Sequence, residues 1–339
     1  MKIGLMFAGQ GAQYPGMGKS LYECSAAAKK VFDEAGGQIK EWCFNGTKEM
    51  LRQTRMTQPC IYTVDMAAYR SFLEEISKSS RNFWDSVELA GVAGFSLGEY
   101  AALTAAGIID DIGKGLGIVT ERGKLMLAAG SDGAGRPKGG MAAAFGKRRE
   151  ILSCVEKTRE DGILECVNFN SKIQTVVAGD NNALARFRAA AAERRIKAIP
   201  LTVGTAFHSP MMEPAAEPLK LILLNAELNA PAAKVYCNLT GGDLFGGRRL
   251  EEGEVAEYVA DVMARQVKSP VYWQETIENM IRDGVDTLIE IGPGTTLCGI
   301  AKKISHDVKT LNIEDKESLE KTKRTLTEMI GAEGDDRYA

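Results

Sequence analysis

Two short apolar runs, the second interrupted only by Glu88, mark the first half of the chain. Ile3 to Ala8 stops at Gly9-Gln10-Gly11, and Val87 to Gly94 stops at Phe95-Ser96-Leu97-Gly98. Runs of this length closed by glycine read as buried strands entering sharp turns. Helical sequence follows the second turn from Glu99 to Ala106, and a further helix from Lys114 to Ala129 carries Arg122 near its middle. Strands alternating with helices predict α/β layering around a parallel sheet.

From Gly139 the pattern changes. Strand Gly140 to Gly146, helix Arg148 to Glu160, strands Leu164 to Phe169 and Thr175 to Gly179, helix Asn182 to Arg195 and strand Lys197 to Val203 follow in order. That β-α-β-β-α-β succession is the ferredoxin-like, split-βαβ signature, short enough for an inserted subdomain. Glycines at 130, 133, 135 and 204 flank it and suit hinges. The expected organisation is therefore a large part, residues 1–130 and 205–339, interrupted by a small one, residues 131–204. The α/β theme then resumes with a helix from Pro214 to Asn225, a strand from Lys234 to Asn238, a helix from Trp273 to Asp283, and a strand from Thr287 to Ile291 that ends in Gly292-Pro293-Gly294. The charged last stretch predicts a surface helix and a frayed tail.

Composition narrows the function class. With 339 residues, 45% hydrophobic and 26% charged, the chain is ordinary globular material. A net charge of −3 leaves no excess of cations for a nucleic-acid backbone. No apolar stretch approaches the ~20 residues that span a bilayer, and the start, MKIGLMFAGQ, is too short for a signal peptide's core. Seven singly scattered cysteines and two histidines fit neither a disulfide scaffold nor a metal centre, and suit a reduced cytoplasm.

Gly94-Phe95-Ser96-Leu97-Gly98 matches the G-x-S-x-G nucleophile elbow, in which a tight strand-to-helix turn exposes a serine oxygen beside backbone amides. Taken alone, the same pentapeptide also suits a βα turn with serine as a helix cap. A nucleophilic serine needs a base. His306 lies in the charged stretch Ser305-His306-Asp307-Val308, which reads as exposed, whereas His208 sits in Ala206-Phe207-His208-Ser209-Pro210 just after the small subdomain. Glu99, in the first turn of the helix after the serine, reads as a helix-start charge rather than a catalytic group.

Further segments keep company with the elbow. Gly9-Gln10-Gly11-Ala12-Gln13, Gly94-Phe95-Ser96-Leu97-Gly98-Glu99-Tyr100, Glu121-Arg122-Gly123, Asn168-Phe169-Asn170-Ser171, Ala206-Phe207-His208-Ser209-Pro210-Met211-Met212, Gln266 with Ser269-Pro270-Val271-Tyr272-Trp273, and Gly292-Pro293-Gly294 occur in this order. Together they resemble the malonyl-CoA:acyl-carrier-protein transacylase family. The resemblance implies an α/β-hydrolase-like large subdomain with a ferredoxin-like insert. It implies Ser96 as nucleophile and His208 as general base, with the backbone near Gln266 orienting the imidazole in place of a triad carboxylate. It also implies an oxyanion hole from the amides of Gln10 and Leu97, Arg122 as the anchor for the substrate carboxylate, and Phe95 and Phe207 beside the acyl pocket.

An arginine fits the anchor role because charged hydrogen bonds contribute roughly 1.5–3 kcal/mol each, whereas one extra carbon is discriminated by only about 1–3 kcal/mol. Phe95 departs from the family, which commonly carries histidine there. The implied substrates are malonyl-CoA and the phosphopantetheine thiol of an acyl carrier protein, with no bound cofactor, no metal, no membrane and no nucleic acid. An acidic carrier would need basic residues, for which Lys172, Arg186, Arg188, Arg194, Arg195 and Lys197 are loose candidates. Two other readings share parts of the pattern: a lipase- or thioesterase-type serine hydrolase, and a non-catalytic docking protein. The first orders serine, acid, histidine and has no reason for Arg122 or the Gln10 loop.

Overall fold

The computed structural model describes residues 1–79, 83–251 and 253–335. Its strands, in chain order, are β1 (Lys2–Phe7), β2 (Glu88–Gly94), β3 (Gly139–Phe145), β4 (Leu164–Ser171), β5 (Gln174–Asp180), β6 (Lys197–Pro200), β7 (Val235–Tyr236), β8 (Thr287–Ile291) and β9 (Lys309–Ile313). They form two sheets. The first is wholly parallel, in the order β7-β2-β1-β8-β9. In its register Phe7 lies beside Gly94 on one side and Ile291 on the other. The turns that leave β1, β2 and β8 therefore emerge together at the carboxyl edge, where open α/β sheets bind ligands.

The second sheet is antiparallel, β4-β5-β3-β6. Helices Arg148–Arg159 and Asn181–Glu193 complete its β-α-β-β-α-β order. Alternation divides its two faces: Ala144, Leu164 and Val177 join the cluster with Ile151 and Phe187, while Met141, Val176 and Ala178 join the main core with Phe7 and Leu5. One apolar core thus reaches from the parallel sheet onto the antiparallel one. β6 is shorter than the sequence pattern predicts. After Pro200 the amide of Val203 turns back to the carbonyl of Leu201 at 3.0 Å, a three-residue turn that takes the chain off the sheet.

Between β1 and β2 run helices that the apolar pattern does not mark, the longest being Thr54–Ser79. It packs on helix Ile112–Ala129, whose start is capped by Asp111 accepting from the Lys114 amide at 2.8 Å. Ile118, Val119, Arg122 and Met126 form the buried stripe of that helix. Helices Glu254–Gln266 and Thr296–Ile304 and strand β9 are likewise not read from the pattern, although Val255, Val259, Val262, Met263 and Gln266 form a buried stripe at helical spacing on the first of them. The surface helix expected near the end is Lys316–Asp335, and the expected frayed tail lies outside the described residues. Among the described residues no helix is long and apolar enough to cross a membrane.

Candidate active site

Ser96 sits at the turn between β2 and helix Gly98–Ala105 with φ of 53°, a left-handed conformation that non-glycine residues rarely adopt. The two flanking glycines have a steric reason. A Cβ on Gly94 would lie 1.9 Å from the Gly98 carbonyl carbon, and one on Gly98 would lie 2.3 Å from the Phe7 carbonyl oxygen. The turn is also braced from the segment just after β7. The buried side chain of Asn238 accepts from the Ser96 amide at 2.7 Å and donates to the Gly94 carbonyl at 2.7 Å.

The serine Oγ is 2.6 Å from Nε2 of His208, and the Nδ1 of that ring is 3.0 Å from the main-chain carbonyl of Gln266. A carbonyl only accepts, so Nδ1 carries the proton and Nε2 presents its lone pair to the serine hydroxyl. Burial pushes the His208 pKa down to about 4, with the Arg122 charge acting the same way. The imidazole is neutral at pH 7 and able to take a proton. No carboxylate bonds to it among the described residues.

Gln266, the last residue of helix Glu254–Gln266, also uses its side chain. Its Nε2 donates to the Ser96 carbonyl at 3.0 Å and to Glu99 Oε2 at 3.1 Å, and its Oε1 accepts from Arg122 Nη2 at 3.3 Å. Glu99 is buried and takes a second bond from the Asn238 amide at 3.0 Å, so it ties the elbow helix to the segment after β7 and stays off the histidine. Burial raises its pKa to about 7.

Arg122 is 1% exposed. Its Nη1 donates to Gln58 Oε1 at 3.0 Å, its Nη2 lies 3.3 Å from Ser96 Oγ, its Nε has no partner, and its guanidinium stacks 5.2 Å from the Tyr100 ring. No carboxylate approaches within the 4.0 Å of an ion pair among the described residues. An unpaired buried cation is costly, so its placement against a nucleophile points to an anion brought by the substrate.

The main-chain amides of Gln10 and Leu97 have no acceptor among the described residues, whereas the Ser96 amide is committed to Asn238. Leu97 opens the elbow helix, and Gln10 is held near it because Gly9 presses on the Phe95 carbonyl, where a Cβ would come within 2.2 Å. The Gln10 side chain is turned aside to Thr54 at 3.3 Å. These features open onto a cavity of about 490 Å³ lined by Gln10, Phe95, Ser96, Arg122, Phe207 and His208, among others. Phe95 sets its ring edge on Trp273 with centroids 5.3 Å apart.

The fold thus brings together every residue named from the sequence for catalysis and substrate binding. His306 is exposed, as its charged surroundings suggested, and does not line the cavity. The loose basic candidates line none of this cavity; Arg186 is spent on the carbonyls of Thr158 and Arg159 and on Glu160. Asn238 and Gln58 are site residues that sequence reasoning missed. The strand leading to Asn238 was legible, yet nothing local signals a bracing role.

Comparison with known proteins fixes the family. The model of the acyl transferase domain matches residues 5–334. The chain belongs to the acyl transferase family. Among curated relatives of this acyl transferase, the malonyl CoA-acyl carrier protein transacylase of Bacillus subtilis (strain 168) is 36% identical over 334 residues, 96% of this chain and 98% of the relative. Among solved structures, a malonyl CoA-acyl carrier protein transacylase from Clostridium perfringens shares 37% identity and a TM-score of 0.85, covering 97% of this chain and 98% of that one. In a structure of a type II polyketide-synthase acyl-carrier protein in complex with its malonyl-transacylase, one chain matches at 32% identity and a TM-score of 0.82, covering 94% of this chain and 98% of that one.

Proposed function

We propose that this acyl transferase moves malonyl from malonyl-CoA to the phosphopantetheine thiol of an acyl carrier protein, supplying extender units for fatty-acid or polyketide chains. The observation that carries the reading is Arg122, a buried guanidinium without a carboxylate partner, 3.3 Å from the nucleophile. An acetyl group leaves it unpaired; malonyl's free carboxylate can pair with it through parallel hydrogen bonds. The names of the relatives point to the same substrate.

Two half-reactions follow. In the first, His208 Nε2 takes the proton of Ser96 Oγ as the oxygen bonds to the thioester carbon, with the developing oxyanion set toward the amides of Gln10 and Leu97. The carbon–sulfur bond breaks, coenzyme A sulfur receives the proton, and malonyl-Ser96 remains. In the second, the carrier's thiol gives its proton to His208, attacks the ester carbon, and Ser96 recovers its hydroxyl. The carbonyl of Gln266 keeps the imidazole in the required tautomer, a task that a triad carboxylate performs elsewhere. Phe95 and Phe207 wall the acyl pocket. Coenzyme A and phosphopantetheine act as substrates, and no further cofactor is needed for this chemistry.

The same reading divides the chain into an α/β-hydrolase-like large subdomain, residues 1–130 and 205–339, and a ferredoxin-like small one, residues 131–204. The antiparallel order β4-β5-β3-β6 with two covering helices supports that division. A cytoplasmic setting is in keeping with seven free cysteines.

The test is intact-mass detection after parallel exposure to malonyl-, methylmalonyl- and acetyl-CoA. The expected result is a single malonyl adduct on Ser96, strongly preferred over acetyl and removed by holo carrier protein. Steady release of free malonate without a chaseable adduct would instead make the protein a hydrolase.

A further inference from the structure

The loop that carries the Gln10 amide leaves β1 at Gly9 and runs to Tyr14 along one wall of the catalytic cavity, which residues 9–14 line throughout. Its start is fixed where Gly9 presses on the Phe95 carbonyl. Beyond that point little defines it. The bonds within the loop are local, from the Gly11 amide to Gln13 Oε1 at 2.8 Å and from the Ala12 amide to the Gly9 carbonyl at 3.3 Å. Its crest is open, for a Cβ placed on Gly11 would meet nothing within 4 Å outside its chain neighbours. Among the described residues two side-chain bonds reach out of the loop: Gln10 to Thr54, at a long 3.3 Å, and Tyr14 Oη donating to Glu314 Oε2 at 3.1 Å.

Glu314 stands just past β9, half-buried and outside the cavity lining. The same carboxylate oxygen takes the Gly294 amide at 2.8 Å. Gly294 in turn lies against the loop, since a Cβ on it would be 3.9 Å from the Ala12 carbonyl oxygen. One oxygen atom thus pins the far end of the loop to the Gly292-Pro293-Gly294 turn. The backbone of Glu314 is itself held, its amide donating to Ser318 Oγ at 3.0 Å. Burial, reinforced by the Glu314 charge, keeps the Tyr14 phenol above its ordinary pKa, so the hydroxyl remains the donor of this bond.

We infer that Glu314 is a positioning residue for the oxyanion hole: by holding Tyr14 it fixes the loop that aims the Gln10 amide, although it hydrogen-bonds to neither Ser96 nor His208. The inference rests on the malonyl-transfer reading and adds what keeps its oxyanion donor aligned. A donor lowers the barrier when it needs no rearrangement as charge develops, and an open loop supplies such a donor when both of its ends are held. Both half-reactions develop charge on the same carbonyl oxygen, so a loosened loop slows both alike. The substrate carboxylate is gripped elsewhere, by Arg122, so KM and acyl preference are left as they are.

The experiment compares wild type with Tyr14→Phe, Glu314→Ala, Glu314→Gln and the double variant Tyr14→Phe/Glu314→Ala. Measured for each are kcat and KM of Ser96 loading from malonyl-CoA and from acetyl-CoA, the rate of transfer from malonyl-Ser96 to pantetheine, the rate of Ser96 capture by a fluorophosphonate, and the urea midpoint. Glu314→Ala is expected to lower loading kcat and the transfer rate by about tenfold each, a part of the roughly 100- to 1,000-fold that a whole oxyanion donor supplies. Tyr14→Phe should lower both by about threefold to fivefold, with the malonyl KM and the malonyl-to-acetyl ratio unchanged. The double variant should match Glu314→Ala, because the two side chains share one bond, and Glu314→Gln, which keeps an acceptor oxygen, should regain most of the loss. Wild-type kcat in both single variants, losses that multiply in the double variant, or a loss that appears in KM or in the acyl ratio overturns the role. Where Glu314→Ala is too unstable to assay, Tyr14→Phe, which lacks one oxygen atom, decides by itself. If the wild type never acquires malonyl, the transfer reading fails and fluorophosphonate capture still decides the role: slower capture in Tyr14→Phe and Glu314→Ala with recovery in Glu314→Gln supports it, and unchanged capture rejects it.

Discussion

Arg122 is the side chain whose removal should speak most directly. In Arg122→Ala the preference for malonyl over acetyl, measured as the ratio of kcat/KM for Ser96 loading, is expected to narrow by roughly tenfold to a hundredfold, the worth of a charged hydrogen bond. An unchanged ratio would remove the carboxylate anchor. His208 sets the pH dependence. Its pKa is lowered to about 4, so the reactive neutral imidazole is retained as pH falls until that value is approached. Loading should hold nearly constant from pH 7 to 5 and decline only near pH 4; a limb at the ordinary histidine value of about 6.5 would contradict the burial that lowers it. Phe95→His should leave loading within about tenfold, because neither the Ser96–His208 contact nor the two amides depend on that ring.

The residues that perform chemistry were readable because each is chemically scarce or sharply framed. With two histidines in the chain and one in charged sequence, the base was nearly chosen by default. Arg122 became readable only through its company in the family pattern, since one arginine on an amphipathic helix has no mark of its own. Gln58, which steadies that arginine from helix Thr54–Ser79, carried no signal: the contact joins positions 64 apart in the chain.

At the level of elements, the elbow holds a left-handed serine in place through neighbours distant in the chain, Asn238 after β7 and Gln266 at a helix end. Asn238→Ala removes both bonds to the turn, and leaves the Ser96 amide and the Gly94 carbonyl buried without partners. The expected cost is about 1–3 kcal/mol, read as a lower urea midpoint at unchanged m-value, with kcat for loading falling more than KM rises. Equal stability to wild type would show that the turn holds itself. The strands β1, β2 and β8 were legible as apolar runs closed by glycine, and the β-α-β-β-α-β succession as alternating pattern. The long helix Thr54–Ser79 was not, since it holds Pro59 within it and packs against several helices at once, which blurs its periodicity. Strand β9 escaped for a related reason: an edge strand with mixed burial shows no continuous run.

At the scale of the whole molecule the two sheets share a core. Met141, Val167, Val176 and Ala178 from the small sheet belong to one cluster with Phe7, Leu97 and Phe207. Calorimetry should therefore give a single cooperative transition with equal van't Hoff and calorimetric enthalpies; two resolved transitions would mean that residues 131–204 melt alone.

One helix end grips the machinery at three points. Through its carbonyl, its amide nitrogen and its amide oxygen, Gln266 touches the base, the nucleophile's own backbone and the anchoring arginine. Machinists would call it a common fixture: tools clamped to one plate keep their mutual alignment when the plate shifts. Gentle heating or a distant substitution that nudges this helix should then dim all acyl substrates alike, without first eroding selectivity, until the plate itself comes loose.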